Sequence, residues 1–135
     1  MAKPKRVTYF MTMLEDKPGT GLAFARSLKA KKIGLSALWA FGTPTGQAEV
    51  YCIPKDIEKF RTFVKSTGTT TWEGTGFLLK GEDKTGALIE TLDVLSKAGV
   101  NVTGIHGIAA GGNCGCFVRV ADPDIEKAAI LLGAK

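Results

Sequence analysis

The sequence predicts an α+β fold made of two tandem units, each an antiparallel sheet with its helices on one face. Two observations carry this. A pair of short motifs recurs in order: Glu15-Asp16-Lys17-Pro18-Gly19 returns as Glu82-Asp83-Lys84-Thr85-Gly86, 82 − 15 = 67 residues on, and Asp56-Ile57-Glu58-Lys59 returns as Asp124-Ile125-Glu126-Lys127, 124 − 56 = 68 residues on. Within each copy the apolar residues switch, in the same order, between the two-residue period of a strand and the 3.6-residue period of a helix.

The first copy opens with Val7 to Leu14, whose alternation puts Val7, Tyr9, Met11 and Met13 on one strand face. The turn Asp16-Lys17-Pro18-Gly19 leads to Leu22, Ala25 and Leu28 at helical spacing. Lys29, Lys31 and Lys32 suit the negative end of that helix, and Gly34 is expected to stop it. Leu35 to Phe41 and Ala48 to Ile53 read as two strands joined by Gly42-Thr43-Pro44-Thr45-Gly46. Pro54 and Asp56 start a second helix with Ile57, Phe60 and Val64 on its apolar face. Thr69 to Trp72 is β-prone and reads as a fourth strand.

The second copy repeats the series. Phe77 to Lys80 is a strand, and Leu88, Leu92 and Leu95 form a helical stripe that Gly99 ends. Val100 to Ile108 is a strand, and Gly111-Gly112-Asn113 is the turn. Cys114, Cys116, Val118 and Val120 then alternate against Phe117 and Arg119. Asp122 and Pro123 read as an N-cap and a first-turn proline before the stripe Ile125, Ala128, Leu132. The sequence ends at Lys135, leaving no room for a fourth strand in this copy.

The order β-α-β-β-α-β, then β-α-β-β-α, is the ferredoxin-like split βαβ arrangement, with boundaries expected at 1–74 and 75–135. A unit of that size buries only ~60% of its unfolded surface, so the two are expected to support each other. The missing last strand predicts an unpaired sheet edge, to be covered by a homodimer or by the strand around Thr69 to Trp72.

Composition narrows the chemistry. The 135 residues carry a net charge of +5 with one His and three Cys. A single histidine excludes H-E-x-x-H metal sites, and no G-x-S-x-G or phosphate-binding G-x-x-x-x-G-K-[ST] loop is present. Cys114-Gly115-Cys116 with Cys52 cannot build a four-cysteine zinc site. An odd cysteine count argues against a disulfide framework and points to a reducing cytoplasm; no apolar run reaches the ~20 residues of a membrane span. These readings point to a protein that is not an enzyme and carries no metal or cofactor.

A strand ending in Glu-Asp-Lys-Pro-Gly, a helix, then a glycine entry into the next strand resembles the ACT domain. Glu82-Asp83-Lys84-Thr85-Gly86, Leu88 to Leu95 and Ala98-Gly99-Val100-Asn101-Val102 resemble it again, so residues 7 to 132 fit two tandem copies. The resemblance implies a stand-alone regulatory sensor that binds an amino acid between paired domains. It also implies a homodimer and an amino-acid biosynthetic enzyme or regulator as partner. The copies differ: Gly34-Leu35-Ser36 stands where the second has Asn101-Val102-Thr103, and Thr85 replaces the proline. Two potential sites are therefore not equivalent.

The candidate ligand residues are Asp16, Lys17, Pro18, Gly19, Ser36, Asp83, Thr85, Gly86 and Asn101. A loop entering a helix presents unpaired N–H groups at the positive helix end, where a ligand carboxylate fits. Gly19 and Gly86 allow close approach, and Asp16 or Asp83 would meet the ammonium. The alternative is that each Asp only caps its helix. Asn101 offers donor and acceptors together. In the family the corresponding Asn faces the partner domain's loop, which pairs Asn101 with Asp16 to Gly19, and Ser36 with Asp83 to Gly86.

Other features read more simply. His106 is expected on a strand surface, and Cys114 and Cys116 on one strand face toward the helices. Trp39 and Phe41 suit a core or interface, or would stack on a base. Lys3, Lys5 and Arg6 with Lys29, Lys31 and Lys32 suit a solvated basic surface. A protein- or nucleic-acid-binding adaptor is the alternative function, but the RNA-binding K/R-G-F/Y motif is missing.

Overall fold

A computed structural model describes residues 4–134; Lys3 of the basic arm and the terminal Lys135 fall outside them. Six strands and four α-helices follow one another among these residues: β1 (Lys5–Glu15), α1 (Thr20–Ala30), β2 (Leu35–Gly42), β3 (Gln47–Pro54), α2 (Ile57–Thr67), β4 (Thr71–Glu82), α3 (Ile89–Lys97), β5 (Val102–Ala110), β6 (Asn113–Val120) and α4 (Ile125–Leu132). The chain divides into two compact units, Thr8–Gly74 and residues 75–134 with the described residues before Thr8. The β1–β3, β2–β3, β4–β6 and β5–β6 pairs are antiparallel.

The first unit has strand order β2-β3-β1-β4. Phe10 of β1 lies opposite Cys52 of β3, and both join Val50, Leu28, Ile33, Phe60 and Phe63 in the core. The helix-facing set of β1 is therefore Phe10, Thr12 and Leu14, the phase opposite to the Tyr9, Met11, Met13 set. Strand alternation shows that β1 has two faces. Which one meets α1 and α2 follows from Phe10 meeting Phe60, with the rings tilted at 40° and 4.6 Å between centroids. Asp56 caps α2 as its position suggests, accepting from the Lys59 N–H at 3.1 Å. Gly34 does not stop α1: the helix ends at Ala30, and Lys32 takes the left-handed conformation, with φ 57°.

In the second unit the order is β5-β6-β4-β1. Phe77, Leu79, Cys116, Val118 and Val120 meet Leu95, Ala128 and Ala129 in its core. Thr71 and Trp72, from the strand read at Thr69 to Trp72, and the strand read from Phe77 to Lys80 belong to one strand, β4, while Thr69 and Thr70 precede it. Thr12 bonds Thr71 and Tyr9 lies over Gly74, so paired residues sum to 83 (12 + 71, 9 + 74). β1 lies beside β4 in the sheet. The fourth strand of this unit is thus the start of β1, not residues 69–72. Arg6 reaches Glu126 of α4 at 2.5 Å and holds its carboxyl below the usual range. Asp122 does not cap α4: Asp122–Asp124 forms a separate 3-10 turn with Pro123 at its start, and no side chain caps either piece.

Gly74 and Gly76 let β4 run unbroken. A Cβ at Gly74 would stand 2.6 Å from the Tyr9 ring, and one at Gly76 would stand 2.4 Å from the Phe117 ring. Phe117 is buried and cannot swing away, whereas Tyr9 is half-buried. Gly76→Ala is expected to destabilise by about 1–3 kcal/mol through overpacking, and Gly74→Ala by less. Urea unfolding of both variants measures the difference.

Arg61 binds both Glu58 and Glu73, and its guanidinium holds the Glu73 carboxyl below the ordinary range. A lowered folded-state pKa gives stabilisation that is complete above the ordinary glutamate range and lost as pH falls through the lowered value. The pair is solvent-exposed, so the effect is small. Glu73→Gln is expected to lower Tm slightly at neutral pH. The gap to wild type should close as pH drops through the carboxylate range in a thermal-melt series.

Candidate functional site

Both strand-to-helix loops hang from the hairpin of their own unit. The Asp16 N–H donates to the Gly46 carbonyl and the Asp83 N–H to the Gly112 carbonyl, each at 3.0 Å. Neither aspartate caps a helix: Gly19 precedes α1, Leu88 precedes α3, and neither helix start has a side-chain cap. The capping alternative for Asp16 and Asp83 is therefore not what is built. Gly19 and Gly86 adopt φ of 91° and 78°, a left-handed backbone that favours glycine. The Asp16 carboxylate lies against Gly42, where a Cβ would stand 2.3 Å from Oδ2.

The charges around the loops also repeat. Lys17 pairs with Glu15 at 2.7 Å, and Lys84 pairs with Glu82 at 3.1 Å. All four side chains are exposed. The Lys17 ammonium holds the Glu15 carboxyl below its usual value, and Glu15 raises Lys17. Pro18 and Thr85 are exposed beside them.

In the second unit the loop borders two adjoining open grooves of about 900 and 450 Å³. Glu82, Lys84 and Asn113 line the larger groove, and Ile108 and Cys114 border both. Gly86, Leu88 and Ile89 bring the N-terminal end of α3 to the smaller one. The sequence pointed to Asp83, Thr85 and Gly86 but passed over Glu82, Lys84, Ile108, Asn113 and Cys114. A signal for the first two was present: Glu15 and Lys17 recur as Glu82 and Lys84 with the motif itself. The three strand residues had none, because only the β4–β6–β5 register puts them beside the loop.

Asn101 is exposed just before β5, and Ser36 is exposed near the start of β2. Within each unit, these positions lie at the opposite end of a strand from the loop. The 83–86 loop binds the Gly112 turn beyond the far end of β5, a strand of nine residues, or roughly 30 Å at ~3.3 Å per residue. Asn101 and the Asp83–Gly86 loop thus share no site within their unit. Nor do Ser36 and the Asp16–Gly19 loop. Gly34, the counterpart of Asn101, lies against Lys55, so a side chain there would meet the Lys55 Cδ at 3.2 Å. Both strand starts carry a register shift, between Leu35 and Ala37 and between Val102 and Gly104. Period-2 alternation cannot reveal such a shift.

The cysteines divide by depth. Cys116 faces the helices as expected, and burial raises its thiol above the ordinary range. Burial pushes Cys52 up to about 12. Cys114 is half-buried, and its Sγ donates to the Glu82 carbonyl at 3.4 Å. No group of three or more His, Cys, Asp or Glu is placed to hold a metal among the described residues. His106 is exposed, opposite Phe117.

Trp39 and Phe41 lie on the sheet face turned away from the helices. Trp39 stacks on Tyr51 at 5.3 Å and 3°, and Phe41 stacks on it at 6.0 Å. The Tyr51 hydroxyl donates to Glu49 at 2.7 Å, placing a carboxylate on this face. A surface that tracks a phosphate backbone needs cations there.

No protein-family model matches this sequence, and no curated protein matches it. Solved structures match the fold. A protein from Bacteroides thetaiotaomicron superposes with TM-score 0.83 at 20% identity, over 96% of this chain and 88% of that one. The ligand-free regulatory subunit of aspartate kinase from Thermus thermophilus gives TM-score 0.61 at 13% identity, over 96% and 91%. A putative C-terminal regulatory domain of aspartate kinase from Porphyromonas gingivalis gives 0.54 at 14%, over 96% and 91%. The fold is therefore α+β with ferredoxin-like, ACT-like repeats. No helix among the described residues is long and apolar enough to cross a membrane.

Thiol depth gives a labelling order. Under native conditions at neutral pH, maleimide is expected to modify Cys114 first, with Cys116 and Cys52 protected until unfolding. Peptide mass spectrometry after timed quenching reads the order.

Proposed function

We propose that this protein is a non-catalytic regulatory sensor that binds an amino acid at its strand-to-helix loops. One observation carries the reading: the exposed Glu82–Lys84 pair stands at the rim of a groove with apolar walls, beside the uncapped start of α3. A zwitterion has the complementary charges. Its carboxylate would meet Lys84 and the α3 N–H groups. Its ammonium would meet Glu82 or Asp83, and its side chain would lie on Ala87 and Ile108. Thr85 and Gly86 shape the approach.

The Asp16–Gly19 loop repeats the same construction, with Lys17 and Glu15 as its charges and Pro18 in place of Thr85, and is the second candidate site. Ser36 and Asn101 stay in the proposal as exposed polar residues at strand starts. The likeness to structures named as aspartate kinase regulatory subunits and domains supports a regulatory role with an amino-acid biosynthetic enzyme as partner. The β5 edge, Val102 to Ala110, contains no Lys, Arg, Asp, Glu or Pro to discourage strand pairing. That supports a homodimer. Binding would act by population shift, which requires tighter binding to one arrangement than to another.

Titration calorimetry with the twenty common amino acids tests the reading. At least one is expected to bind saturably, and Lys84→Ala is expected to weaken it about tenfold, as for a lost charge-assisted hydrogen bond. Asn101→Ala is expected to weaken it too; unchanged affinity removes Asn101 from the site. No heat and no thermal shift with any amino acid at millimolar concentration overturns the sensor reading.

A further inference from the structure

The Thr8–Gly74 unit holds a second recess, a crevice of about 220 Å³ between α1 and α2. We infer that it binds a small neutral aromatic molecule carrying one N–H or O–H donor. This site does not rest on the amino-acid reading, and its chemistry is different.

No charged side chain lines the crevice. A carboxylate or ammonium entering it would lose water without gaining a partner, which excludes amino acids. Two of its walls are the rings of Phe24 and Phe63, set edge to face at 6.1 Å and 61°. A third ring adds to such a pair in the offset or edge-on arrangements that aromatic quadrupoles favour. Size fits as well. A 150 Å³ apolar cavity holds benzene, so the same allowance per atom gives room for about nine non-hydrogen atoms.

The hydroxyls set the polarity. Thr12 is 2% exposed; its hydroxyl donates to the Thr70 carbonyl at 3.1 Å, and the Thr71 hydroxyl shares its one proton between Thr12 at 3.2 Å and the Thr69 carbonyl at 3.1 Å, so that it takes at most one lone pair of Thr12. One lone pair remains. The Ser27 hydroxyl donates to the Ala23 carbonyl at 3.0 Å, leaving both its lone pairs. With the Thr12, Ser27 and Thr67 protons on backbone carbonyls and the Thr69 proton on Thr67, Thr20 is the one hydroxyl of the described lining that keeps its proton for a ligand; the balance favours acceptors, and the complementary ligand brings a donor. The repeat sharpens the point. The counterpart of Thr12 is Leu79 (12 + 67 = 79), which is fully buried in the other unit's core. Only the first copy places a hydroxyl there.

The probes are phenol, indole and toluene, with binding to the whole chain followed by protein-observed NMR titration. Phenol and indole are expected to saturate, and toluene, isosteric with phenol but lacking the donor, is expected to bind several-fold more weakly. Ala23 is exposed on α1 and lines the crevice, so Ala23→Leu fills the space without touching the core. It is expected to weaken phenol binding at least tenfold with an unchanged far-UV spectrum. Ser27→Ala is expected to narrow the phenol–toluene gap. Shifts that do not saturate, equal phenol binding by Ala23→Leu, or equal affinity for phenol and toluene would overturn the proposal. Amino-acid binding is expected to be unaffected by Ala23→Leu, so failure here is distinct from failure of the loop site.

Discussion

The second unit depends on a strand from the far end of its own sequence. Residues 75–134 supply only three strands, and β4 would be left with a row of unpaired N–H and C=O groups along one side. The start of β1 takes that place, and Arg6 ties it to α4 through Glu126. With the edge closed, Phe77 and Leu79 are held under α3 and α4, and β4 carries the Glu82–Lys84 pair to the groove. The position of the candidate site therefore follows from a pairing far from it in sequence.

Glycine serves two separate ends in this fold. At Gly74 and Gly76 the missing Cβ gives space to the rings of Tyr9 and Phe117, so a flexible stretch stays extended inside β4. At Gly19 and Gly86 the backbone itself needs glycine, since φ is positive and the chain turns sharply into a helix. Both helix starts are left without a capping side chain. That costs helix stability, and the loops themselves meet the first donors, the Thr20 N–H on the Lys17 carbonyl and the Ile89 N–H on the Gly86 carbonyl.

The duplicated loops are alike in construction and unlike in surroundings. Each aspartate N–H binds the hairpin glycine of its own unit, and each Glu-x-Lys pair lies beside it. The first copy, however, keeps Gly34 against Lys55 where the second has Asn101, and buries Thr12 where the second buries Leu79. A duplication leaves one unit free to hold function while the other drifts. Here the differences fall at strand starts, away from the groove, and under the helices, where Thr12 lines the crevice.

The sequence alone determined the duplication, the order of elements, the turn glycines and the loops that enter helices. These are local properties, set by hydrophobic period, by residues that tolerate positive φ and by motifs that repeat. It also placed Asp16, Gly19, Asp83 and Gly86 in the loops. Only the tertiary structure decided the rest. Thr71–Trp72 and Phe77–Lys80 lie in one strand, in which Gly74 and Gly76 leave room for the Tyr9 and Phe117 rings. Phe10 and not Tyr9 faces the helices because it meets Phe60, a residue fifty positions away. Ile108, Asn113 and Cys114 reached the groove through strand register. Each of these is a contact between residues distant in sequence, and periodicity carries no information about which distant residues will meet.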